Sequence, residues 1–166
     1  ISAREHLPSI YWGMNASWEL YVQTLNDLLS DRNLEDPRAR QLVRSILEGS
    51  SPSIEARSRR LHRWVMENIE SGPQSNAFGR APHMLHARNG NRARVLHYLL
   101  NLANIEADIA LVRSFETDPT PSAIPDEESF RHLLLLIHSE EGPLWVSASA
   151  KGAPFRFIPP LLRGQN

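Results

Sequence analysis

Apolar positions recur at helical spacing through the first third of the chain. Ser17 is placed to cap a helix whose apolar face carries Trp18, Leu20, Tyr21, Leu25, Leu28 and Leu29. Asp36-Pro37 pairs a cap with proline at the first helical position. A stripe of Ala39, Leu42, Val43, Ile46 and Leu47 follows, and Gly49 is the stop. Ser51-Pro52 opens a third helix, with Ile54, Leu61, Trp64, Val65 and Ile69 inward and Glu55, Arg59, Arg60, Arg63 and Glu67 outward, ending at Gly72-Pro73. Residues 72–90 lack periodicity and read as a long loop, the kind of segment that carries sites. From Asn91 the pattern Ala93, Val95-Leu96, Leu99-Leu100, Leu102-Ala103 is apolar almost all round. It predicts a buried central helix ending at Asn104.

Beyond Asn104 the period changes from helical to extended. Ile105 to Val112 reads as a strand, and the proline-rich and acidic stretch 117–128, with Asp126, Glu127 and Glu128, as a solvated loop. Arg131 to His138 reads as a buried strand and Glu140 to Pro143 as a turn. Leu144 to Ala148 forms the next strand, and Phe155 to Ile158 a short one. Helices first and antiparallel strands second predict an α+β domain with one buried helix against a sheet. Residues 1–50 form an N-terminal helical region and 51–166 the core.

Composition narrows the chemistry. The 166 residues, 41% of them hydrophobic, suit a globular fold with a real core. A formal net charge of −1 favours neither nucleic acid nor an anionic membrane. No apolar run is long enough to cross a bilayer, so no direct membrane insertion is expected. The start, Ile1-Ser2-Ala3-Arg4, reads as an internal piece of a longer protein. The cysteine count is zero, which removes thiol nucleophiles, disulfides and thiolate metal sites. A single lysine, Lys151, stands among eighteen cationic residues, an arginine bias without functional meaning.

The stretch Arg88 to Arg113, with Phe130-Arg131-His132 and Trp145-Val146-Ser147, resembles the bacterial transglutaminase-like family of the papain-like superfamily. Ala93, Leu96, Leu99-Leu100, Ile105-Glu106-Ala107 and Leu111-Val112-Arg113 stand in the family's core-helix and strand pattern. Trp64-Val65 and Asn68-Ile69 match the helix before it, and Ala16 to Glu19 the entry to that region. The resemblance implies a papain-like cysteine protease fold and an extracytoplasmic location. In the family's register the nucleophilic cysteine falls on Asn89, or on Gly90 if the register slips by one. The histidine falls on His132, and the aspartate on Ser147.

Two of three triad positions are therefore replaced. A Cys-His-Asp site needs a thiol whose pKa is lowered by a helix N-terminus and an imidazolium, and a carboxylate that orients the imidazole. Without sulfur that acyl transfer cannot run. Asparagine at a helix start is a good cap, so Asn89 has a structural role open to it.

Other candidates are weaker. His132 reads as a residual binding or acid–base group, or as a hydrogen-bonded strand histidine, and the loss of its partners favours the second. His83 and His86 have His-x-x-His spacing, but a metal would need a third ligand such as His132 or Asp108. His97 and Tyr98 fit packed, hydrogen-bonded core residues. Ser147 or Ser149 as a nucleophile beside His132 lacks a nucleophile elbow. Tyr11, Trp12 and Trp145 are binding candidates if exposed.

The expected function is a catalytically inactive transglutaminase-like domain, a protein- or peptide-binding or scaffolding module of a larger bacterial protein. Asn89, Gly90, His132, Trp145 and Ser147 would line its groove, with no cofactor, no metal and no nucleic acid. The alternative is a hydrolase or transferase with relocated chemistry, using His132 with His83, His86 or a metal. A blander third possibility is a spacer between neighbouring domains.

Overall fold

The computed structural model describes residues 17–31, 36–71, 79–113, 130 and 132–162. Its helices are α1 (Trp18–Leu29), α2 (Pro37–Leu47), α3 (Ile54–Asn68), α4 (Ala81–Ala87) and α5 (Arg92–Leu102). The strands are β1 (Ala107–Val112), β2 (His132–Ile137) and β3 (Leu144–Ser147), and a 3-10 turn follows at Pro160–Leu162. The α+β class follows, with a three-stranded antiparallel sheet in the order β1-β2-β3.

Side chains at the helix starts satisfy amides that have no partner within the helix. The Leu20 amide donates to Ser17 Oγ, and those of Arg38 and Ala39 donate to Asp36 Oδ1. For α3 the cap is Ser53, two residues later than Ser51, with the Ala56 amide donating to its hydroxyl. That helix ends at Asn68. The stops foreseen at Gly72-Pro73 lie outside the described residues, as do the loop 117–128 and Tyr11 and Trp12.

Helix α5 is the core of the fold. Every residue from Arg92 to Leu100 is buried, as the all-round apolar pattern implied. Asn104 at φ +54° reverses the chain, and the Ile105 amide donates back to Leu100 O. This closure takes two residues from the expected strand, so β1 begins at Ala107. Helices α2, α3 and α4 pack on α5, which lies against β1 and β2. Leu135, Ile137 and Val146 turn toward it with no measurable exposure.

The register pairs Ala107 with Ile137 and Val112 with His132 on one side of β2, and Leu134 with Ser147 on the other. One sheet face therefore carries Leu133, Leu135 and Ile137, and the other carries His132, Leu134 and Leu136.

Three expectations need correction. Residues 72–90 are not loop throughout, because Ala81–Ala87 is helical. At seven residues, with Pro82 in its first turn and no side-chain cap, it is too short for periodicity to reveal. Phe155 to Ile158 forms turns instead of a strand. The Phe155 ring packs edge-on to His62, 5.6 Å between centroids, and lies under the Arg59 guanidinium, while Arg156 adopts φ +68°. On α1 only Leu25 and Leu29 are buried, whereas Leu20 and Leu28 are more than half exposed.

Candidate functional site

The head of α5 is built by a short, heavily tied turn. Arg88 takes the left-handed conformation that closes α4 (φ 55°), and its guanidinium stacks 4.5 Å above the Trp64 ring. The Asn89 amide donates to Met84 O. The Glu70 amide donates to Arg88 O and the Gly90 amide to Glu70 O, so Asn89 and Glu70 form a parallel bridge that stitches the turn to the end of α3. Gly90 sits at φ +142°, where a Cβ would fall 2.5 Å from Met84 Cγ. A side chain at position 90 has no room unless Met84 moves, whereas Asn89 faces solvent.

Asn89 does not cap the helix. That role belongs to Asn91, whose Oδ1 accepts the Arg94 amide at 3.1 Å. Two arginines in the first turn are buried. Arg92 donates Nε–H to Ile69 O at 2.8 Å and reaches Ser149 O at 3.5 Å, joining the start of α5 to the end of α3 and to the chain after β3. Arg94 donates to Leu29 O and, at 2.9 Å, to Asp31. Burial lowers the Arg94 pKa against the raising effect of Asp31. Neither arginine was singled out from the sequence. The available signal was a charged residue inside a segment apolar on all sides, which demands a buried partner.

The chain leaves α5, reverses at Asn104 and returns along β1, so the start of α5 shares one end of the sheet with Val112, His132 and Ser147. The Arg92–Ser149 contact marks that end. His132 and Ser147 lie on adjacent strands and on one face, His132 two residues before Leu134, the partner of Ser147. Trp145, opposite Leu136, shares that face and is 43% exposed. Helix α5 packs on the other face. The fold thus brings Asn89, Gly90, His132 and Ser147 toward one end of the molecule, with His132 and Ser147 turned to the side away from α5, whereas Trp145, level with Leu136 and Asp108, stands toward the other end of that face.

Their polar partners are not those of a catalytic relay. Ser147 is buried and its hydroxyl is 2.9 Å from Ser149 Oγ. The imidazole that touches Ser147 is His62, whose Nε2 lies 3.2 Å from the Ser147 carbonyl and donates to it in the neutral ring. Burial pushes the His62 pKa below its ordinary value and the nearby Arg59 charge adds to this, against the raising effect of the Ser147 bond. His62 stands on the inward stripe of α3 with Ser58, Leu61 and Val65, and that spacing was its only sequence signal. A serine nucleophile activated by His132 is not assembled.

The relocated-chemistry residues are spread apart. His83 and His86 do share α4, but His86 Nε2 sits 2.7 Å from Asp36 Oδ2, the carboxylate that caps α2. Burial raises the Asp36 pKa, and the bonds from Ala39, His86 and Arg38 outweigh it and hold the carboxyl below its ordinary value. Asp108 is engaged by His138 at 2.7 Å, near the opposite end of β1 from His132. Among the described residues no group of three or more His, Asp or Glu converges as a metal site. His97 is a bonded core residue, Nε2 to Ala107 O at 2.9 Å. Tyr98 is buried, but its hydroxyl has no hydrogen-bond partner among the described residues, contrary to expectation. Burial, with Asp36 and Asp31 adding, pushes its pKa up to about 12.

No protein-family model matches the chain, and no curated protein matches its sequence. Among solved structures the fold is similar to that of a putative protease from Parabacteroides distasonis, with a TM-score of 0.60 and 16% identity. The likeness covers 76% of this chain and 25% of that one, so this chain corresponds to about a quarter of that protein's length. At that identity the likeness is one of fold alone. No helix among the described residues is long and apolar enough to cross a membrane.

Proposed function

We propose that this domain is a transglutaminase-like frame that has lost acyl transfer and serves as a protein- or peptide-binding module of a larger, exported bacterial protein. The observation that carries the reading is position 89. The sequence resemblance asks for a thiol at the head of the core helix, and the side chain there is an exposed asparagine in a chain without cysteine. Ser147 at the carboxylate position, bonded to Ser149 and unable to carry a negative charge, supports the same reading. The tied Arg88–Gly90 turn and His132 at one end of the sheet, with exposed Trp145 further along the face that carries His132, supply polar groups and an aromatic anchor, the composition of a recognition surface. The partial coverage of a longer protein of similar fold favours a module over a free-standing unit.

Peptides selected against the 166-residue chain by phage display test this. Their affinity should fall at least tenfold on Trp145→Ala or His132→Ala, and mass spectrometry should find them intact after incubation. Cleavage or cross-linking of the selected peptides, or indifference to both substitutions, would overturn the proposal.

A further inference from the structure

We propose that the edge of β1 that is unpaired among the described residues, facing α1 across an open cleft, is a strand-addition site for an extended peptide that is apolar on one face and basic on the other. The inference stands on β1 and α1 and does not rest on whether the end of the sheet bearing His132 is catalytic.

Hydrogen-bond parity fixes which groups the edge offers. In an antiparallel ladder, alternate residues turn their N–H and C=O toward the partner strand and the others turn them away. The His138 amide donates to Glu106 O, so Glu106 faces β2, and by the register so do Asp108, Ala110 and Val112. Ala107, Ile109 and Leu111 point outward. The Ala107 carbonyl is already taken by His97 Nε2, which sets one end of the usable edge. The N–H and C=O groups of Ile109 and Leu111 remain, unpaired among the described residues and half-buried beside a cleft of about 630 Å³. An edge of this kind is a template for another strand unless something covers or charges it.

The cleft also specifies the added strand. Its apolar wall is Val22, Leu25, Ile109 and Leu111, closed at one end by Trp18 and Phe130, whose rings meet edge to face at 5.5 Å. A strand hydrogen-bonded to Ile109 and Leu111 would direct every second side chain onto this wall. The intervening side chains would point to the other face of the sheet, the one that carries Asp108. Asp27 and Asp108 line the cleft with no lysine or arginine among the described lining residues, and α1 carries Glu19 and Asp27 but no cation. Asp108 is partly offset by His138, and Asp27, exposed on α1, adds to the negative lining that asks for a basic partner.

Fluorescence polarisation with labelled octapeptides tests the site on the 166-residue chain. The probes are an alternating Lys–Val peptide, its Glu–Val counterpart, and two Lys–Val versions with the backbone nitrogens of either the lysines or the valines methylated. The Lys–Val probe should bind at least tenfold more tightly than Glu–Val. One methylated version should lose at least tenfold while the other retains binding, because an added strand uses one of its edges. Replacing Asp27 and Asp108 together by Lys should cost at least tenfold, and Ile109→Pro should abolish binding, proline being compatible with an outward-facing edge position. The methylated probes keep the test decisive if Ile109→Pro impairs folding. Absence of binding, equal binding of the two charge types, or equal binding of both methylated probes overturns the inference. Binding lost on His132→Ala but kept in Ile109→Pro also overturns it, and leaves a peptide site at the head of α5 standing.

Discussion

The Arg94 guanidinium lies 2.9 Å from the Asp31 carboxylate with both side chains buried, so the first turn of the core helix is clamped to the chain leaving α1. Removing one member leaves the other as an uncompensated buried charge. Asp31→Ala or Arg94→Ala should each destabilise the fold by about 3–5 kcal/mol, whereas exchanging both for leucine should cost much less than the sum. Chemical denaturation of the two singles and the double checks this. Additive losses would mean that the pair does not interact.

The two asparagines around Gly90 have separate roles. Asn91→Ala removes the bond that satisfies the Arg94 amide and should cost about 1 kcal/mol. Asn89→Ala removes no side-chain bond made among the described residues and should stay within about 0.5 kcal/mol. Paired thermal melts of the two variants give the comparison directly.

Gly90→Ala should destabilise by about 1–3 kcal/mol, because the new Cβ meets Met84 and the backbone sits at φ +142°. Trimming the obstacle in Gly90→Ala with Met84→Ala removes the clash. It should therefore cost less than the sum of the two single changes, read as a double-mutant cycle in urea.

The pH dependence follows from His62. Its pKa is lowered in the folded state from an ordinary 6.5, so the unfolded chain binds the proton more readily. Its contribution is complete above about pH 6.5 and is lost as pH falls toward the folded-state value. His138, held above its ordinary value by the bond to Asp108, acts in the opposite sense, so in a His138→Gln background the melting temperature should drop between pH 7.5 and 5.5, and adding His62→Gln should flatten that part of the profile. Asp36 acts in a lower window. Its lowered pKa means that its contribution is present above 3.8 and is lost as pH falls through the folded-state value.

Legibility in the sequence tracked how much of the signal was local. Caps at Ser17, Asp36 and Asn104, the all-round apolar run of α5 and the three paired strands are written in neighbouring residues, and they gave the α+β layout. What escaped depends on distant partners. Helix α4 is too short for a period, and Phe155 is apolar because it meets His62 across 93 residues, not because it sits in a strand. The assignment of Asn89 as a cap failed for a related reason. Residues 88–90 are shaped by Glu70 and Met84, and the helix starts only after that turn is closed. Grouping Asn89, His132 and Ser147 at one end required the fold pattern, while the turning of the Ser147 hydroxyl to Ser149 required coordinates.

Position 89 is proposed as the vacated nucleophile position of a transglutaminase-like site. Asn89→Cys makes it measurable, through the pH dependence of iodoacetamide alkylation, with Ser45→Cys on the exposed face of α2 as reference. A relic site at the α5 N-terminus predicts a thiol pKa well below the ordinary value of about 8.5. A thiol at position 89 that titrates with the reference would contradict it.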